Sequence, residues 1–164
     1  MSRSARPARL VAAASVLAGA LLLAACSPTI TTKPYAPSDG VRVNLTDDVR
    51  GLNLMVVSEG EGRPGAVLGA LANGSREDVD FVLAAEGATP ISLTVPAGET
   101  VYLNADPEDD QAVDAQIAAV ATHAGGDLES TLSGAGLEEQ FFLPVMDGTL
   151  PEYEAWLPST SGLS

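Results

Sequence analysis

Cys26 is the residue with the clearest chemistry in this chain of 164 residues, and it is the only cysteine. It closes the run Leu23-Ala24-Ala25-Cys26. Arg3, Arg6 and Arg9 stand before it, followed by an uncharged apolar stretch from Leu10 to Leu23. A basic start, an apolar middle and small residues before a cleavage point make an export leader. A cysteine directly after that point is the bacterial lipoprotein signal: its thiol takes a diacylglycerol, residues 1–25 are removed, and the chain stays on a palmitate-type lipid anchor. The apolar run is shorter than the roughly 20 residues that span a bilayer, which disfavours a retained membrane helix. An acylated thiol also explains an exported chain that cannot form an internal disulfide.

The other residues capable of chemistry are sparse. His123 is the single histidine, so no pair of imidazoles can hold a metal. With Met55 or Met146 it would form a thioether–imidazole set suited to Cu(I). Its plainer role is a cation in the last turn of a helix, facing the negative end of the dipole. Asp106, Glu108, Asp109, Asp110 and Asp114 could gather a hard cation, but they lack the alternation, central glycine and closing glutamate of a calcium loop. No Gly-x-Ser-x-Gly elbow or Gly-Lys phosphate loop is present. An enzyme is not expected. Tyr153 and Trp156 lie beyond the last expected strand and could anchor a partner protein or pack on the body.

Charge narrows the ligands further. Of eight basic residues, Arg3, Arg6 and Arg9 fall in the leader, which leaves Lys33, Arg42, Arg50, Arg63 and Arg76 against 22 acids. A surface so acidic repels nucleic acid and anionic headgroups, and neither is expected as a ligand.

The elements that must position these residues follow from periodicity. Residues 26–39 are polar, carry Pro28, Pro34 and Pro37, and read as a flexible tether. From residue 40 to 158 the pattern is that of one folded domain. Val41–Leu45, Leu52–Ser58, Ala66–Asn73, Val79–Ala85, Ile91–Val95 and Val101–Leu103 read as strands spaced about ten residues apart, with turn residues between them. Leu128–Leu132 and Glu139–Val145 add two more, Pro144 suiting an edge or strand end. The pattern predicts an all-β antiparallel sandwich. Between strands, Asp106-Pro107 with acids in the next turn reads as a helix start, and Val113, Ile117, Val120, Ala121 and Ala124 share one helical face before Gly125-Gly126. One inserted helix is therefore expected over about 107–124. Residues 159–164 read as a disordered tail.

The order of features resembles a family of actinobacterial lipoproteins. The carrying residues are the Leu23–Cys26 motif, Thr32-Lys33-Pro34-Tyr35-Ala36-Pro37-Ser38-Asp39-Gly40-Val41, Leu52-Asn53-Leu54-Met55-Val56-Val57, Gly69-Ala70-Leu71-Ala72-Asn73, and Phe142-Leu143-Pro144-Val145 with Tyr153. They are similar to LpqE-type lipoproteins, which are related to periplasmic copper chaperones of the PCu(A)C type. The resemblance implies an immunoglobulin- or cupredoxin-like sandwich on the extracytoplasmic face of the cell membrane. It also implies an accessory role beside an envelope protein, a respiratory supercomplex being one concrete partner. The alternative it implies is a copper chaperone delivering Cu(I) to an oxidase. Such chaperones use a His-x-Met element, and here His123 is followed by Ala124 and Gly125. The fold carries over and the copper site does not, so no cofactor is expected.

Overall fold

The computed structural model describes residues 39–104 and 112–158. They contain β1 (Val41–Asn44), β2 (Val49–Ser58), β3 (Gly65–Asn73), β4 (Val79–Ala85), β5 (Ile91–Val95), β6 (Thr100–Leu103), β7 (Ala112–Val113), β8 (Gln116–Ile117), β9 (Asp127–Gly134), β10 (Leu137–Met146) and a short helix, α1 (Pro151–Glu154). The fold is all-β and sandwich-like, as its alternating pattern requires. The expected leader, its Cys26, the tether before Asp39 and the tail at 159–164 lie outside the described residues.

One layer runs β5–β4–β9–β10 and the other β10–β2–β3–β6–β7. β1 shares an edge of β2 with the end of β10, and β8 shares an edge of β3 with β6. β10 belongs to both layers. It pairs with β9 from Leu137 to Pro144, then joins β2 at Val145 and Met146. Pro144 sits at this crossing and closes the β9 ladder opposite Asp127, a strand-end position that tolerates a missing N–H. The pairing is not wholly antiparallel: β10–β2 and β6–β7 are parallel.

Inward side chains of both layers make one core. Val43, Leu54, Val56, Val67 and Leu71 from one meet Phe81, Leu83, Leu128, Leu132 and Leu143 from the other. A bulge sets the phase of β2. Leu52 pairs with Ala70 and Met55 with Leu68, so Asn53 and Leu54 together oppose Gly69. Asn53 takes φ 50° and Gly69 φ 125°. A Cβ on Gly69 would lie 2.7 Å from the Leu52 and Asn53 carbonyl oxygens, so only glycine fits. Past the bulge, Leu54 and Val56 face the core, while Met55 and Val57 face outward into a second apolar cluster.

A buried amide bolts the layers together. The Asn73 side chain at the end of β3 donates to the carbonyls of Val95 at 2.9 Å and Glu77 at 2.8 Å. Its Oδ1 accepts from the Ser75 N–H at 3.0 Å and the Ser75 hydroxyl at 2.6 Å. Asn73 is the first half of an Asn-Gly turn signal, but its side chain does interior work.

The expected helix over 107–124 is corrected: residues 112–124 contain no helix, and 105–111 lie outside the described residues. Val113, Ala115 and Ile117 also fit a period of two, and Ala115, Ile117 and Val120 are buried, whereas Ala121 is exposed. The backbone bonds sideways instead of to itself. Val67 N–H donates to the Ala115 carbonyl at 2.9 Å, and Val120 N–H to Arg63 at 2.8 Å. The Asn104 amide, donating to Val67 at 2.9 Å and Ala115 at 2.6 Å, holds the segment along β3. Tertiary pairing overrides the local helical pattern here.

Asn73→Ala is expected to leave buried carbonyls unpaired and lower stability by about 2–4 kcal/mol, read as a fall in the urea midpoint at unchanged slope. In the β9–β10 turn, Ala135 holds φ 52°. Asn tolerates that conformation better, so Ala135→Asn is expected to raise Tm by roughly 2–4 °C in a thermal melt.

Candidate functional site

Four of the candidate residues meet on the outer face of β2 and β3. After β10, the Asp147 carboxylate accepts the Thr149 N–H at 3.0 Å and turns the chain toward α1. That backbone bond, with the Thr149 side chain second, holds Asp147 below its ordinary pKa. Pro151 starts α1, where its missing N–H costs nothing. The segment then lies over Met55, Val57 and Leu68, with Tyr153 buried among them and Met146, Trp156 and Leu157 packed at the margin. Leu157 packs directly over Gly148, so a side chain there would have to displace the end of Leu157. This cover explains why Leu54 to Ser58 are buried without interruption.

The same segment grips the start of the domain. The Tyr153 hydroxyl donates to the Asp39 carboxylate. One residue on, Gly40 N–H donates to Asn53 Oδ1 at 2.9 Å, so the bulge also holds the entering chain. A Cβ on Gly40 would come within 2.5 Å of the Asn53 backbone. The Asp39 bond, with burial and then the charges of Asp39 and Glu152, pushes the Tyr153 phenol up to about 12. The end of the expected tether is thus clamped to the last element of the domain.

Of the two roles expected for Tyr153, the packed one matches its burial: its ring lies in the cluster and its hydroxyl bonds to Asp39. Trp156 is half-buried at the margin of the same cluster. Met55 and Met146 come together here in an apolar cluster, and His123 lies exposed on the 118–126 connection. With no helix there, His123 has no helix dipole to cap. Two thioethers without an imidazole do not make the His/Met donor set for copper. Among the described residues no group of three or more His, Cys, Asp or Glu side chains could hold a metal ion. Of the acidic run, Asp114 is exposed and donates nothing to such a group; its carboxylate accepts from the Gln116 amide at 2.9 Å.

Two cavities lie elsewhere on the surface. A cavity of about 640 Å³ on the β9–β10 side is lined by Glu86, Glu129, Thr131, Gln140 and Phe142, among others. Phe142 is 62 % exposed, the most exposed of the large apolar side chains, and pairs across the ladder with Glu129. Sequence reading placed Phe142 in a confident strand without asking which way it points. Leu143 and Val145 are both fully buried, and alternation from them puts Phe142 outside. A second cavity of about 380 Å³ beside the β1–β2 turn holds Arg42 and Arg50. Their guanidinium groups are already engaged, Arg42 with Asn44 Oδ1 at 2.9 Å and Arg50 with the Asp47 carbonyl at 3.1 Å.

Comparison with protein-family models and with curated proteins finds no match to this chain.

Tyr153→Phe keeps the packed ring and is expected to cost about 1 kcal/mol in denaturant unfolding. The raised phenol makes the clamp's contribution complete below about pH 10 and lost as pH rises through about 12. In an absorbance titration, Asp39→Asn is expected to bring this late-ionising tyrosine back toward 10.

Proposed function

We propose that the protein is a lipid-anchored, non-catalytic binding module that works as an accessory subunit of a larger protein assembly in the cell envelope. The observation that carries this reading is the clamp at Asp39. The segment that would lead to an acylated Cys26 enters the domain at a point fixed by Tyr153 and Asn53. The clamp sets the point at which a tether leaves the folded body, and the flexible tether expected from the sequence lets the domain reach membrane-bound neighbours. Anchoring also confines binding to the membrane plane, which raises effective concentration. The resemblance to LpqE-type lipoproteins supports the same setting, with a respiratory supercomplex as the concrete candidate. The described residues offer packing and hydrogen-bonding roles for nearly every candidate reactive group, which favours binding over catalysis.

The copper reading would need His123 to act together with Met55 and Met146, whereas the thioethers pack in an apolar cluster and His123 is exposed. Competition of the full chain against a Cu(I) chelator is expected to show no binding tighter than micromolar. Tight binding lost in His123→Ala would revive that reading. For the principal proposal, the tagged full chain is purified from its own membranes in mild detergent and the eluate quantified by mass spectrometry. Stoichiometric recovery of one envelope assembly, lost with Cys26→Ser as the protein leaves the membrane fraction, is expected. Recovery of the chain alone at full yield would contradict it.

A further inference from the structure

Resting on the accessory-subunit reading, we infer that the free edge of β10, from Glu138 to Phe142, receives an extended basic segment of a partner protein as an added β-strand. The backbone supplies the first part of the argument. β9 and β10 are joined by Ala135-Gly136, with φ 52° and 73°, a turn of the type that closes a tight hairpin on a hydrogen-bonded pair. Gly134 and Leu137 are that pair. Hydrogen-bonded pairs then alternate with open ones along the ladder. Glu138, Gln140 and Phe142 fall at the open positions, so their N–H and carbonyl groups point away from β9. β10 joins β2 only at Val145 and Met146. Along Leu137 to Leu143 no strand among the described residues occupies this edge.

Edges of this kind are normally protected. The opposite edge of the same layer, β5, lies between Pro90 and Pro96, and its Thr94 hydroxyl is held by Asp80 at 2.6 Å. β10 has no proline until Pro144. What it carries is charge and exposed apolar surface: Glu138 and Glu139 are exposed, as are Leu137 and Phe142.

Charge identifies the occupant. Glu138 projects with Gln140 and Phe142 on the outer face, and Glu139 on the other, so an added strand meets a carboxylate on either side. Glu129 stands opposite Phe142, and Glu86 completes that wall of the adjoining cavity. Like charges placed opposite one another destabilise a strand pair, so a second copy of this strongly acidic chain is disfavoured. Lys or Arg in the incoming strand would pair with Glu138 and Glu139. One such side chain entering the cavity would lie over the Phe142 ring between two carboxylates. Main-chain bonds supply affinity and these side-chain pairs supply selectivity, the usual division in strand addition.

The test uses the full chain, isotope-labelled in detergent, and a short synthetic peptide alternating Lys with Val. A twin with Glu in place of Lys is the control. Binding of the Lys peptide is expected to slow amide exchange at Glu138, Gln140 and Phe142, to weaken with salt, and to be absent for the Glu twin. Gln140→Pro removes one outward donor without touching the β9 ladder, and should weaken binding about tenfold. Phe142→Ala should weaken it several-fold, with the β9–β10 amides still protected as evidence of folding. Equal binding to wild type and Gln140→Pro, perturbations spread over the whole acidic surface, or no binding of the Lys peptide would each overturn the inference. If the peptide fails while purification still recovers an assembly, the accessory reading stands and this surface assignment falls.

Discussion

The bulge at Asn53 opposite Gly69 is the constraint on which the rest of the domain depends. By inserting one residue into β2, it turns Leu54 and Val56 into the main core and Met55 and Val57 onto the outer face. An outward Met and Val in mid-sheet must be covered, and α1 with the residues after it supplies the cover. The bulged Asn53 also takes the Gly40 N–H, so the same local distortion fixes where the chain enters. Core, cover and entry point share one cause. A one-residue slip at this site would reverse the face of every following side chain in β2.

That arrangement bears directly on function. Among the described residues the thioethers pack in the second cluster and the Tyr153 phenol bonds to Asp39. The β10 edge and the exposed Phe142 lie on the layer away from the Tyr153 clamp. One layer holds Asp39, while in the other the β10 edge carries no paired strand among the described residues.

Much of the fold was legible because strand burial writes itself as alternation. Val79–Ala85 and Ile91–Val95 coincide with their observed spans, and the others differ by a few residues at their ends. The parts that were illegible depend on contacts distant in sequence. Val113 and Ile117 suit a helix face as well as a period-two strand, and only the backbone of β3 and the Asn104 amide decide between them. Asn73 reads as a turn former because its acceptors at Val95 and Glu77 belong to other elements. The clustering of Met55, Met146, Tyr153 and Trp156 requires knowing that β10 crosses between layers. The outward aim of Phe142 was within reach, from alternation against Leu143 and Val145.

Tracking single labelled copies of the full chain in intact cells tests the central claim most directly. A lipid-anchored module that acts as a bound subunit is predicted to move in the membrane as slowly as a large integral complex, and to become fast when its partner is depleted. A single population diffusing at the rate of a free lipid-anchored protein, or unconfined to the membrane altogether, would contradict it.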